Sequence, residues 1–153
     1  MMANETGAVL GMTGTRNPIT AAQQSWLDAQ VWDADVLHHG ACVGADAAAH
    51  RAAIDAGVDI VVHPPVDERL MMPRGLGQWL PAKPYLDRNR DIVDACDRLI
   101  ALPDGPPKPK SGTWYTVRYA VERGKDVTVC LPDGSVHRGA DLLAAHEGAA
   151  GAR

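Results

Sequence analysis

The chain contains no phenylalanine, only three cysteines and no surplus of basic charge. No apolar run approaches the ~20 residues needed to span a bilayer, so a membrane partner is not expected. Cys42, Cys96 and Cys130 lie far apart and form no Cys-x-x-Cys pair. An odd, scattered set excludes a disulfide framework and the usual structural zinc patterns, leaving reduced, mostly buried thiols. Lys and Arg number 15 against 19 Asp and Glu, for a net charge of −4. That balance removes any general electrostatic reason to bind nucleic acid or an anionic membrane, so a nucleic-acid partner is disfavoured. Met1 to Gly7 lack a basic end followed by an apolar core, and the expected location is cytoplasmic.

What is present fits one domain of 153 residues, with a core over 8–131. Short apolar runs alternate with helical patterns. Val9-Leu10-Gly11-Met12 leads into Thr13-Gly14-Thr15-Arg16, and Thr20-Ala21-Ala22-Gln23 has the form of a capping box. Val36-Leu37-His38-His39 runs into Gly40-Ala41-Cys42-Val43-Gly44-Ala45-Asp46, and alanines at helical spacing follow as far as Gly57. Val58-Asp59-Ile60-Val61-Val62-His63 is a third strand, stopped by Pro64-Pro65. Residues 66–83 show no period, so they are expected to form either a lid or a mobile insertion. A helix begins at Pro84, then come the strand Arg98–Pro103 and a basic, proline-rich loop. Ser111-Gly112-Thr113-Trp114 opens another helix, and Asp126–Leu131 is a fifth strand. A short helix is expected over Ala140–His146 and a disordered tail over 147–153.

This alternation predicts an α/β fold of the Rossmann-like, doubly wound kind. It has three layers, with helices on both faces of a mainly parallel sheet of about five strands. Ligands of such sheets sit beyond the carboxyl ends of the strands, where strand order reverses. Thr13, Gly14, Thr15, Gly40, Ala41, Pro64 and the Ser111 turn all fall on that edge. Free N–H groups at helix starts favour anions, which makes Gly40–Asp46 and Ser111–Trp114 candidate phosphate turns.

Metal and nucleophile readings are weaker. His38 and His39 are adjacent on a strand and point to opposite faces, and no zinc spacing is present. Cys42 precedes a helix start, where a thiol can be activated, but it has no partnered base in the sequence; a small buried hydrophobe is the simpler role.

Four motifs in order resemble the SLOG superfamily of Rossmann-like domains: Gly14-Thr15-Arg16, His39-Gly40-Ala41-x-x-Gly44-Ala45-Asp46-x-x-Ala49-His50, Tyr85-Leu86-x-Arg88-Asn89-Arg90 and Ser111-Gly112-Thr113-Trp114-x-Thr116. The superfamily includes the Lonely-guy phosphoribohydrolases, the core of DNA-processing protein A and stand-alone YpsA-like domains. The last two motifs are closest to the stand-alone branch. The resemblance implies a nucleotide or nucleotide-derived ligand. Its site would be formed by Thr13, Gly14, Thr15, Arg16, Gly40, Ala41, Gly44, Ala45, Asp46, Pro64, Arg88, Asn89, Arg90, Ser111, Gly112, Thr113 and Trp114. In that site Arg88 or Arg90 would pair with phosphate and Trp114 would stack on a base. No resident cofactor or metal is expected. Relatives are often dimers, so a homodimer is one expected state.

The chain departs from the hydrolases at one decisive position. Their signature ends in a catalytic glutamate, and Thr116 stands there; a threonine cannot act as a carboxylate base. The expectation is therefore a sensor, carrier or sequestering module with no catalytic residue. The first alternative is a nucleoside-monophosphate hydrolase using a relocated carboxylate, Asp46 or Glu122. The second is single-stranded DNA binding, by analogy with DNA-processing protein A.

Overall fold

The computed structural model describes residues 8–151 and the side chains through 147. The elements in chain order are β1 (Val9–Gly14), α1 (Ala21–Trp32), β2 (Val36–His39), α2 (Ala45–Ala56), β3 (Asp59–Val62) and β4 (Gln78–Trp79). They continue with α3 (Tyr85–Ala95), β5 (Arg98–Leu102), α4 (Gly112–Glu122), β6 (Asp126–Cys130), β7 (Val136–Arg138) and α5 (Gly139–Gly151). The strands form one sheet in the order β4-β3-β2-β1-β5-β6-β7, parallel except for the β6–β7 pair. None of the described helices is long and apolar enough to cross a membrane.

The sheet has seven strands rather than the expected five. β4 lies within 66–83, where two residues are too few to show any alternation; it pairs parallel with β3 at Val61–Gln78 and Val62–Trp79. β7 is three residues that return antiparallel onto β6 after the Asp133-Gly134 turn. Residues 66–83 also bridge to the β2–α2 turn, where Val43 N–H donates to Leu70 O and Met72 N–H to Ala41 O. α5 is longer than the helix expected from sequence. Of the tail expected over 147–153, residues 152–153 lie outside the described residues and the remainder continues α5.

Alternation along the strands sorts the core into two layers. Leu10, Met12, Leu37, Ile60, Ile100 and Leu102 pack with Leu27 and Val31 of α1 and the alanines of α2. The other face sets Leu99, Ala101, Val127 and Val129 against Ile92 and Val93 of α3, Trp114 and Val117 of α4, and Leu143 of α5. The alanine face of α2 (Ala45, Ala48, Ala49 and Ala53, all buried) lets that helix lie close on the strands. The capping box is formed: Thr20 Oγ1 accepts from Gln23 N–H and Gln23 Oε1 from Thr20 N–H. The Gln23 amide then donates to Pro103 O and Cys130 O, which ties the start of α1 to the ends of β5 and β6.

From β1 the chain builds outward through β2, β3 and β4. It then crosses to the other side of β1 to build β5, β6 and β7. Strand order therefore reverses between β1 and β5, and the loops after these strands open apart at their carboxyl ends.

Gly44, between β2 and α2, holds the loop after β1 in place. Its φ is +85°, and a Cβ there would lie 2.5 Å from Thr15 O and 2.7 Å from Asn17 O. Gly57, at the end of α2, is also left-handed (φ +70°) but has nothing within 4 Å. Gly44→Ala is therefore expected to cost roughly 2 kcal/mol or more, against about 1 kcal/mol for Gly57→Ala. Urea unfolding of the two variants checks this, and equal losses would contradict the packing described.

Candidate functional site

A cavity of about 540 Å³ opens at the reversal point. This is ordinary for a small-molecule site. Its walls come from five segments: Met12–Asn17 at the end of β1 and beyond it, Gly40, Cys42 and Asp46 after β2, Leu70 ahead of β4, one face of α3 (Tyr85, Leu86, Arg88, Asn89 and Ile92), and the stretch from Pro103 to Thr113 leading into α4. Thr15 N–H donates to Leu102 O at 2.9 Å, pinning the loop after β1 to the end of β5. Ala41 (φ +63°) and Lys110 (φ +59°) are the non-glycine residues with left-handed backbone among the described residues, and both flank this edge. Such conformations cost about 1–3 kcal/mol each and concentrate where a site needs its backbone aimed.

The two helix starts facing the cavity differ. At α2, Ala45 N–H donates to Thr15 O at 2.9 Å, Gly44 is packed on the β1 loop, and Asp46 places a carboxyl in the first turn. The Gly40–Asp46 turn, expected from its glycines to hold phosphate, is joined to the β1 loop and carries a carboxyl beside the cavity. At α4, Ser111 Oγ caps the Trp114 N–H at 3.2 Å. The amides of Gly112 and Thr113 bond no acceptor among the described residues, and they line the cavity. A Cβ on Gly112 would meet only Asn89 Nδ2, at 3.9 Å. Uncapped N–H groups, a hydroxyl and a side-chain amide converge there, a combination suited to an anion.

Arg88 is 5% exposed and braces the floor of the cavity. Its Nη1 donates to Gly40 O and, at 3.0 Å, to His63 O; its Nε donates to Asn89 Oδ1 at 2.6 Å; its Nη2 lies 3.4 Å from Cys42 Sγ. Gly40 is glycine because a Cβ would stand 2.7 Å from this guanidinium. With two of its nitrogens committed, Arg88 cannot give a ligand the two-pronged grip expected of it and has only Nη2 to spare. The Tyr85 ring packs beneath Arg16 (4.5 Å) and Arg88 (5.2 Å).

Asp46 is also buried. Its Oδ2 accepts from Cys42 N–H at 3.2 Å, while Oδ1 has no partner. Burial pushes its pKa up to about 6, against the pull of Arg88. Burial, reinforced by Asp46, raises the Cys42 thiol, which is the opposite of an activated nucleophile.

The histidines form two pairs. His39 Nδ1 accepts from Ala41 N–H, so its Nε2 carries the proton and donates to His50 Nδ1 at 2.9 Å. His38 Nδ1 and His63 Nε2 are 2.8 Å apart. Burial lowers His39 to about 3, with a further push from His50, and lowers His63 to about 4.

Of the residues expected from sequence, Thr13, Gly14, Thr15 and Arg16 line the cavity, as do Gly40, Asp46, Arg88, Asn89, Ser111, Gly112 and Thr113. Ala41, Gly44 and Ala45 form the joint behind it. Pro64 lies buried next to the carbonyl that Arg88 holds. Arg90 turns away, donating to Tyr115 Oη at 2.7 Å and pairing with Asp87. Trp114 is fully buried in the core between α4 and the sheet, so it offers no face to a base. Thr116, where the hydrolases carry glutamate, is buried and donates to Gly112 O at 2.7 Å. Sequence reasoning missed Asn17, Leu70 and Tyr85 as wall residues. Tyr85 heads the motif that contains Arg88 and Asn89, so a signal for it existed; Leu70 sits in a stretch with none.

No protein-family model and no curated protein matches this chain. Solved structures do. DNA processing protein A from Streptococcus pneumoniae is 20% identical, with a TM-score of 0.62 over 81% of this chain and 50% of its own. The molybdenum cofactor binding protein from Rippkaea orientalis is 19% identical, with a TM-score of 0.63 over 82% and 77%. DNA processing protein A from Helicobacter pylori, described by its single-stranded DNA binding mode, is 20% identical, with a TM-score of 0.61 over 84% and 67%. The fold these proteins share with this chain is the Rossmann-like α/β one. This chain spans half the length of the S. pneumoniae protein. Identities this low establish the fold alone.

The buried titratable groups set a pH dependence of stability. His39 and His63 have folded pKa values below 6.5, so the unfolded chain binds more protons and stability is lost as pH falls below about 6.5. Asp46 has a folded pKa above 3.8, so its contribution opposes that loss between about 6 and 4. The melting temperature is expected to drop between pH 7 and pH 5, and Asp46→Asn to make the drop steeper. Circular dichroism melts across that range measure both, and a flat profile would count against the buried neutral pairs.

Proposed function

We propose that this domain binds a small phosphate-bearing ligand of the nucleotide type and holds it without turning it over. The observation that carries the reading is the open start of α4. The Gly112 and Thr113 amides, the Ser111 turn and Asn89 face a cavity in which Arg16, Arg88, Lys108 and Lys110 outnumber Asp46 and Asp104. The phosphate would rest against Gly112 and the rest of the ligand would extend toward Tyr85 and Asp46. Thr116 supports binding over glycosidic hydrolysis, because its hydroxyl is spent on its own helix and it does not line the cavity. The similar molybdenum cofactor binding protein supports a carrier or sequestering role.

Single-stranded DNA is the second reading. It rests on the H. pylori relative and on Arg16, Lys108 and Lys110 at the exposed rim, which could meet consecutive phosphates.

Calorimetric titration with AMP, ADP-ribose, NAD and a short oligothymidylate tests both readings. Micromolar heats from the mononucleotides, absent in Gly112→Asp, are expected, because a carboxylate would then stand where the phosphate rests. A normal response in that variant would place the anion elsewhere, and binding restricted to the oligonucleotide would favour the second reading.

A further inference from the structure

Two guanidinium groups line the cavity, and they are held in opposite ways. Arg88 is buried and committed to Gly40 O, His63 O and Asn89 Oδ1. Arg16 is exposed. Among the described residues, the arginines whose side chains donate hydrogen bonds are Arg69, Arg88, Arg90 and Arg98, and Arg16 joins no ion pair either. What holds Arg16 is a ring: its Cζ sits over Tyr85, 4.5 Å from the ring centre. That ring is itself fixed. Tyr85 Oη donates to Asp67 O at 3.2 Å, and Arg88, tethered by its own bonds, lies 5.2 Å from the ring centre. Attraction between a cation and a ring uses up no acceptor, so the guanidinium is steadied while its N–H edge stays available. A long side chain already resting on a surface also has less freedom left to lose when a ligand arrives. Lys108, by contrast, is paired with Asp104 at 3.1 Å.

We propose that Tyr85 is a positioning residue that presents Arg16 to the ligand, and that Arg16 supplies the two-pronged grip on phosphoryl oxygens that Arg88 and Arg90 are not placed to give. This rests on the binding reading above and deepens it, because it assigns the grip to one side chain and names the residue that aims it. Arg16 and the α4 start stand on the two loops, after β1 and after β5, that part at the reversal of strand order. Those loops are joined by Asn17 Nδ2, which donates to Asp104 Oδ2 at 3.3 Å. An anion between them meets main-chain amides on one side and a planar fork on the other. Tyr85 acts through the guanidinium and does not itself bond the anion. Lysine is a poor substitute for Arg16, because it keeps the charge but has neither the planar fork nor its fit to a ring face.

Calorimetric titration with AMP tests both halves. Arg16→Lys is expected to bind AMP about tenfold more weakly than the wild-type protein, the scale of a lost bidentate contact. Tyr85→Phe keeps the ring and should stay within about threefold of wild type, whereas Tyr85→Leu should bind roughly fivefold more weakly. In an Arg16→Gln background the same Tyr85→Leu change should cost less than about twofold, because the group it positions is gone. A ring with only a structural role would cost as much in either background, and that additivity would overturn the positioning role of Tyr85. Wild-type affinity in Arg16→Lys would overturn the grip. With Gly112→Asp still abolishing binding, either result would leave the phosphate reading standing. No binding of AMP by the wild-type protein would overturn both. Arg16 is exposed, so Arg16→Lys decides the matter even if a Tyr85 variant does not fold.

Discussion

The carboxyl edge of this sheet depends on one buried cation. Arg88 enters from α3 and donates to the carbonyls that end β2 and begin the turn after β3, Gly40 O and His63 O. Carbonyls at strand ends have left the ladder and need donors, and a guanidinium in this position satisfies two of them at once. The consequences spread outward. Gly40 can carry no side chain, Asn89 is oriented by the Arg88 Nε, and Tyr85 is fixed beneath two arginines. The wall of the cavity is therefore rigid for reasons local to the protein, before any ligand arrives.

Burying that charge shapes the electrostatics around it. Asp46 lies near enough to feel Arg88 but makes no ion pair with it, and burial holds the carboxyl's pKa well above its ordinary range. Burial lowers the pKa values of all four paired histidines, with Arg88 adding to it at His39 and His63; each pair shares one ring-to-ring hydrogen bond, and His50 Nε2 is buried without a partner. The result is a cavity with a cationic rim and, at the start of α4, two amides with no acceptor among the described residues.

Much of the fold was legible because the signals were local. The Thr20–Gln23 box, the alanine face of α2, Gly57 after it and the five longer strands follow from spacing that a linear chain displays. β4 and β7 were not legible, because two or three residues have no period and exist as strands only when a neighbour offers its edge. The site was legible in its parts but not in their roles. Gly14, Gly40, Gly44 and Gly112 look alike in sequence. One turned out to fit against β5 and α2, one to make room for a guanidinium, one to pack on a loop, and one to lie open to the cavity.

By itself the sequence determined the α/β alternation, the edge on which chemistry collects and the loss of the carboxylate at Thr116. These depend on periodicity and on residue identity, both properties of the chain in one dimension. Only the tertiary structure decided that Arg88 is a brace more than a clamp, that Trp114 belongs to the core and that Asp46 is buried at the cavity wall. Those outcomes turn on which partner reaches a given donor or acceptor first. Such competition is settled by residues brought together from distant parts of the chain, Thr15 against Ala45 and Arg88 against Gly40, and leaves no trace in local spacing.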